Sequence, residues 1–181
     1  MSSRLFVALL PTAPAQAALV DLMTGLEGLH WTPPAQLHLT LRFIGPVTDP
    51  EKERIAEALG RVAVRRFLLD LEGVRGFPPR GTPAILWAGV GRGHPLLHQL
   101  RQQVDDRLLN TGTPIALRPF EPHLTLARVR EAPPVSVTHW LKRHREFAGP
   151  TWPVDTFHLM ASEPQPGGSI YRLLRSFPLH A

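Results

Sequence analysis

His38–Leu41 and His123–Leu126 both read His-Leu-Thr-Leu, the first inside LHLTLRFIG (37–45) and the second, 85 residues later, inside PHLTLARVR (122–130). Leucine is abundant in this chain, so the tetrapeptide alone says little. Its surroundings say more. Each copy follows a proline-bearing stretch, TPPAQ (32–36) or PFEP (119–122), and each continues as an apolar run bounded by turn residues, the pattern of a β-strand. Alternate side chains of a strand share a face. His38 and Thr40 therefore point one way and Leu39 and Leu41 the other, and His123 and Thr125 repeat the arrangement against Leu124 and Leu126.

Outward from these strands the chain alternates strands and helices. RLFVALL (4–10) reads as a buried strand, and Ala18, Leu22 and Leu26 stand at helical spacing after it. Beyond the first duplicated strand, DPEKERIAEALGRV predicts a helix with Asp49 as N-cap and Pro50 at its first position. FLLDLEGV and AILWAGV read as two strands joined by the turn-rich RGFPPRGTP, and HPLLHQLRQQVDDRLLNTG as a helix ending near Gly112. After the second duplicated strand come a helix within VSVTHWLKRHREF and a terminal hairpin, VDTFHLMAS and IYRLLRSFPL around PQPGGS. Proline is scattered over the whole length, so no linker separates the halves. The expectation is a single α+β domain over residues 1–181, with two similar lobes and one His-x-Thr strand from each lining a shared cleft across a pseudo-twofold axis.

Composition narrows the chemistry. The 181 residues carry no cysteine, which removes disulfides, thiol nucleophiles and thiolate metal sites. Eighteen of the 20 Lys and Arg residues are arginine, and the net charge is +5, a balance that favours polyanions. No apolar run approaches the roughly 18 residues of a membrane span, and MSSRLFVALLPT runs into a proline without a signal-like cleavage segment. A soluble cytoplasmic protein is expected. Nothing suggests a coiled coil or an obligate partner, so a monomer is the default.

Two histidines across a cleft supply what phosphodiester hydrolysis needs, a base for the attacking water and an acid for the departing alkoxide. Thr40 and Thr125 can donate to the nonbridging oxygens, where charge concentrates in the transition state. No metal or cofactor is required. Glu121, two residues before His123, could be offered as a metal ligand, but His-x-Thr is not a ligand spacing, and no serine sits in a G-x-S-x-G turn. His94 and His98 at i, i+4 lack a Glu partner and read as surface residues, and His158 reads as a packed histidine.

The paired His-x-Thr strands resemble the hallmark of the 2H phosphoesterases. More closely, the chain resembles the bacterial and archaeal RNA 2′,3′-cyclic phosphodiesterases, a family first named for 2′-5′ RNA ligase activity. The likeness runs nearly end to end through RLFVAL, LHLTLRFIG, GFPPRGTPAILWAGV, PFEPHLTLARV and FHLMASEPQPGGSIYRLLRSFPL. The resemblance implies a two-lobed fold, each lobe an antiparallel sheet with flanking helices, around a basic cleft that opens 2′,3′-cyclic phosphate RNA ends to a 2′-phosphate without a metal. It implies His38 as the acid and His123 as the base, and Arg128 as a phosphate contact.

Strand parity complicates Arg128, which stands five residues from His123 and reaches phosphate only from a strand end or a bulge. Arg42 shares parity with His38 and Thr40, making it a further phosphate contact by spacing. Phe43 could stack on the terminal base, but its opposite parity favours the core. Trp31, Phe77, Trp87 and Tyr171 read as structural by default, and Phe120 and Glu121 as shaping the entry to the second motif. Two alternatives use the same residues: a ligase joining RNA halves through the same transition state, and a noncatalytic module that binds RNA ends.

Overall fold

The computed structural model describes residues 3–91, 95–116, 119–165 and 168–181. His94 and the centre of the PQPGGS turn lie outside these. In chain order the elements are β1 (Ser3–Leu9), α1 (Ala13–Leu22), β2 (Leu29–Trp31), β3 (Leu39–Val47), α2 (Asp49–Leu59), β4 (Phe67–Phe77), β5 (Ile85–Val90), α3 (Pro95–Asn110), β6 (His123–Val129), α4 (Pro134–His144), β7 (Ala148–Val154), β8 (Thr156–Gln165) and β9 (Gly168–Pro178). A short 3-10 turn, Pro34–Gln36, leads into β3. The fold is α+β, and the described strand pairs are antiparallel.

The strand order is β7-β4-β5-β6-β3-β1-β8-β9, with β2 pairing β6 off this path. From the middle outward the order is symmetric in role. The duplicated strands β6 and β3 lie at the centre, β5 and β1 flank them, and two further strands close each side. β3 and β6 pair at a single position, Leu39 with Leu124, which are equivalent residues of the two copies. The pseudo-twofold axis therefore runs between these two leucines.

One face of the sheet is covered by helices. α1 packs on β7, α3 on β3 and on α2, and α4 on β4. The main core lies in this layer and takes in Leu39, Leu41, Leu124 and Leu126, each at most 1% exposed. On the other face a small cluster of Phe6, Ala8 and Met160 forms an apolar floor with Tyr171 packed against it. The leucines of both copies thus anchor their strands in the helical layer, which leaves His-x-Thr for the open face.

Two expectations are corrected here, and one strand appears that the sequence did not suggest. The buried stripe of α1 is Ala15, Leu19 and Leu22, and the helix stops before Leu26, where Gly25 has φ of 73°. Thr48, not Asp49, caps α2. Its N–H and its hydroxyl both donate to the Glu51 carboxylate at 2.7 Å, which places Asp49 at the first helical position. Strand β7 forms despite Pro150 and Pro153, because it is an outermost strand and one edge of it needs no ladder partner.

Candidate active site

A β-bulge shapes each duplicated strand in the same place. Across the β1–β3 ladder Ala8 pairs with Thr40 and Val7 with Arg42, so Leu41 is an extra residue. Across β5–β6 Trp87 pairs with Thr125 and Leu86 with Ala127, so Leu126 is the extra one. An inserted residue inverts the parity of those that follow it, in β3 as far as Phe43, after which Ile44 is a second extra residue. Two consecutive residues of each strand are accordingly buried, Leu41 with Arg42 and Leu126 with Ala127.

The inversion decides three residues. Arg128 comes back to the cleft face, by the bulge that its spacing required. Phe43 also turns to the cleft side, where it is 69% exposed and lies 6.1 Å, ring to ring, from Phe6, rather than in the core that parity alone favoured. Arg42 goes the other way. The expectation that it contacts phosphate fails, because it is buried beneath the sheet with Nε 2.6 Å from Asp105 Oδ1, Nη2 bonded to Oδ2, and Nη1 donating to the Ala116 carbonyl. Asp105 also accepts from Arg101, whose guanidinium lies over the Phe120 ring.

The two histidines are held alike. His38 Nδ1–H donates to the Gln36 carbonyl at 2.7 Å, and His123 Nδ1–H donates to the Glu121 carbonyl at 2.7 Å. A carbonyl can only accept, so Nδ1 carries the hydrogen in both rings. Among the described residues nothing bonds Nε2 in either ring, which leaves it to accept a proton or, when protonated, to donate one. Glu121 thus acts on the site through its backbone, with its exposed side chain outside the cleft lining.

Aromatic rings fix the imidazole planes. Phe6 and Tyr171 stand 5.0 and 5.1 Å from His38, and Phe77 and Trp87 stand 5.2 and 5.5 Å from His123. Burial among these rings pushes the His38 pKa down, and the nearby His123 pushes it further the same way, against the opposing effect of the Gln36 hydrogen bond.

The cleft has a volume of about 400 Å³ and brings together His38, Thr40, Phe43, His123, Thr125 and Arg128. Of the catalytic, phosphate and base contacts read from sequence, only Arg42 is absent, and Phe120, expected at the entry, is not in the lining either but packs against His98 and Arg101. Sequence reasoning missed His30, Thr32, Gln36, Arg130, Ser169 and Tyr171, which also line it. Their signal is weak: His30 lies on a three-residue strand, and Ser169 and Tyr171 arrive from the distant hairpin, where the Ser169 carbonyl accepts from Gln36 Nε2 at 3.0 Å. No aspartate or glutamate is among the described lining residues. Among the described residues no three His, Cys, Asp or Glu side chains converge as a metal-ligand set. Nor is any helix among them long and apolar enough to cross a membrane. Trp31 packs on Trp140, His98 on Phe120, and His158 Nδ1 pairs with Ser176 Oγ in the hairpin.

A sheet symmetric about two central His-x-Thr strands is the architecture of the 2H phosphoesterases. Within that class the chain belongs to the 2′-5′ RNA ligase superfamily, whose family model matches residues 11–165. It is 36% identical over 186 residues to the RNA 2′,3′-cyclic phosphodiesterase of Thermus thermophilus, covering 97% of this chain and 90% of that protein. The protein of the same name from Archaeoglobus fulgidus is 32% identical over 155 residues, 86% of each chain. That from Aeropyrum pernix is 39% identical, over a stretch spanning about half of either protein, 52% of this chain and 54% of the relative. Among solved structures, E. coli LigT in its apo form superposes with a TM-score of 0.82 at 22% identity over 99% of both chains. TT0787 of Thermus thermophilus does so with a TM-score of 0.75 at 34% identity over 97% of both.

Proposed function

We propose that this chain is an RNA 2′,3′-cyclic phosphodiesterase that opens cyclic phosphate ends to a 2′-phosphate and a free 3′-hydroxyl. The observation that carries the reading is the matched pair of imidazoles, each with Nδ1–H tied to the carbonyl two residues before it and Nε2 free in one cleft without a carboxylate among its described lining residues. The names of the relatives point to the same reaction.

The anionic end enters between the two histidines, with Thr40 and Thr125 donating to the nonbridging oxygens and Arg128 adding positive charge. His123 Nε2 takes a proton from water as the water oxygen bonds to phosphorus. The bond from phosphorus to O3′ breaks, and His38 Nε2–H gives its proton to O3′. His38 must be protonated for this step, although burial favours its neutral form in the free protein. The negative charge of the bound phosphodiester beside it restores the proton. In this scheme the two imidazoles carry both proton transfers. Phe43, exposed on the opposite wall from Arg128, offers its ring to the terminal base.

Both histidines are needed and they come from opposite halves of the chain, so residues 1–181 work as one bilobal unit. The cleft draws both histidines from one chain, which supports action as a monomer. The test is incubation of a short RNA ending in a 2′,3′-cyclic phosphate with the protein in excess EDTA, followed by end-group analysis. A 2′-phosphomonoester is expected. A 3′-phosphate, or no product, overturns the proposal, and joined product with added 5′-hydroxyl RNA would assign ligation instead.

A further inference from the structure

The pseudo-twofold axis matches His38 with His123, Thr40 with Thr125 and Gln36 with Glu121, all 85 residues apart. The same offset matches Phe43 with Arg128 and Gly45 with Arg130. The histidines and threonines are thus duplicated, while the residues after them are not. One wall of the cleft ends in the rings of Phe43 and Tyr171, and the other in Arg128, Arg130 and, directly across the β2–β6 ladder from Arg128, His30.

Arg128 and Arg130 have no ion pair or side-chain hydrogen bond among the described residues, whereas Arg42, Arg101, Arg145 and Arg172 each have a carboxylate. Two unneutralised guanidiniums in a cleft whose described lining holds no acidic residue are an anion site by charge alone. Their spacing is informative. Arg130 stands two residues after Arg128 and one past the end of β6, so their Cα atoms are at most about 7 Å apart, a step comparable to one nucleotide of an extended chain. The backbone that carries Arg130 is fixed as well. The N–H groups of Arg130, Glu131 and Ala132 all donate to the Gly28 carbonyl, and Gly28 has φ of 74° with no room for a Cβ against the backbone of residues 131 and 132.

We infer that Arg130, with His30 on the same wall opposite Arg128, forms a second phosphate subsite that receives the phosphodiester on the 5′ side of the terminal nucleotide, so that the cleft selects polynucleotide ends over cyclic mononucleotides. This rests on the reaction proposed above. The terminal cyclic phosphate occupies the two histidines, its base faces Phe43, and the chain leaves along β6 past Arg128 to Arg130. Free cyclic mononucleotides carry no phosphate for that position.

The experiment compares kcat/KM for three substrates: uridine 2′,3′-cyclic phosphate, the dinucleotide UpU ending in the cyclic phosphate, and the same dinucleotide with a neutral methylphosphonate linkage. In wild type the charged dinucleotide is preferred over the neutral one by about tenfold or more, the value of one charge-assisted hydrogen bond. Added salt erodes the preference. Arg130→Ala collapses the ratio and Arg130→Lys restores part of it. Equal kcat/KM for the charged and neutral dinucleotides in wild type overturns the subsite while leaving the reaction in place. If none of the three is turned over, the proposed reaction fails and the subsite fails with it.

Discussion

At the scale of single residues, each cleft histidine makes one short hydrogen bond from Nδ1 to a backbone carbonyl, and that bond decides which nitrogen faces the cleft able to exchange a proton. His38 pairs this with burial among Phe6 and Tyr171, which lowers its pKa from the ordinary 6.5. The unfolded chain then binds this proton more readily than the folded one. The contribution to stability is full above the ordinary value and is lost as pH falls from there toward the lowered one. His158, also lowered by burial, adds in the same direction. An NMR titration of the His38 ring is expected to show a midpoint below 6.5 in the free protein. It is expected to move upward when a 2′-nucleotide fills the cleft. A midpoint at or above the ordinary value in the free protein would contradict this account of the site.

At the scale of elements, the bulges after Thr40 and Thr125 separate what the sequence shows from what it hides. The faces of His38, Thr40, His123 and Thr125 follow from simple alternation, because all four precede the inserted residue. Arg42 and Phe43 follow it, and alternation assigns each to the wrong side. Arg128 is legible only as a conflict between its spacing and its role, a conflict the second bulge resolves. A bulge has no residue signature here, since Leu41 and Leu126 are ordinary core leucines by type. Short β2 and proline-bearing β7 escape notice for a related reason, being held by their neighbours rather than by their own pattern.

Arg42 also has a testable consequence at this scale. It is 6% exposed and bonds both oxygens of Asp105, so Arg42→Ala leaves a largely buried carboxylate short of its partner and Ala116 short of a donor. Breaking such a pair costs about 3–5 kcal/mol, with Arg101 retaining part of the compensation here. Urea denaturation should show a loss of that order, and a midpoint unchanged from wild type would remove the pair from the forces holding α3 to β3.

At the scale of the whole molecule, the duplicated tetrapeptide predicts an architecture as well as two strands. A repeat placed on a pseudo-twofold axis brings equivalent residues together, and Leu39 paired with Leu124 at the centre of the strand order is that consequence. The cleft opens where β3 and β6 cease to pair, so the geometry of the site is a product of the symmetry. What the symmetry does not supply is the difference between the walls, aromatic at Phe43 and cationic at Arg128 and Arg130. The β8–β9 hairpin adds Tyr171 and Ser169 from the end of the chain, which no local pattern announces.

The proposal that the two symmetry-related histidines act together is tested most directly by turnover of a cyclic-phosphate RNA end in EDTA. Wild type, His38→Ala, His123→Ala and the double variant are compared, with thermal unfolding of each. Each single variant is expected to lose roughly 10²- to 10⁴-fold in kcat, the range of a general acid or base, with folding retained. The double variant should fall far short of the product of the two losses, because the histidines act as a unit. A folded single variant that keeps most of its turnover would contradict the account.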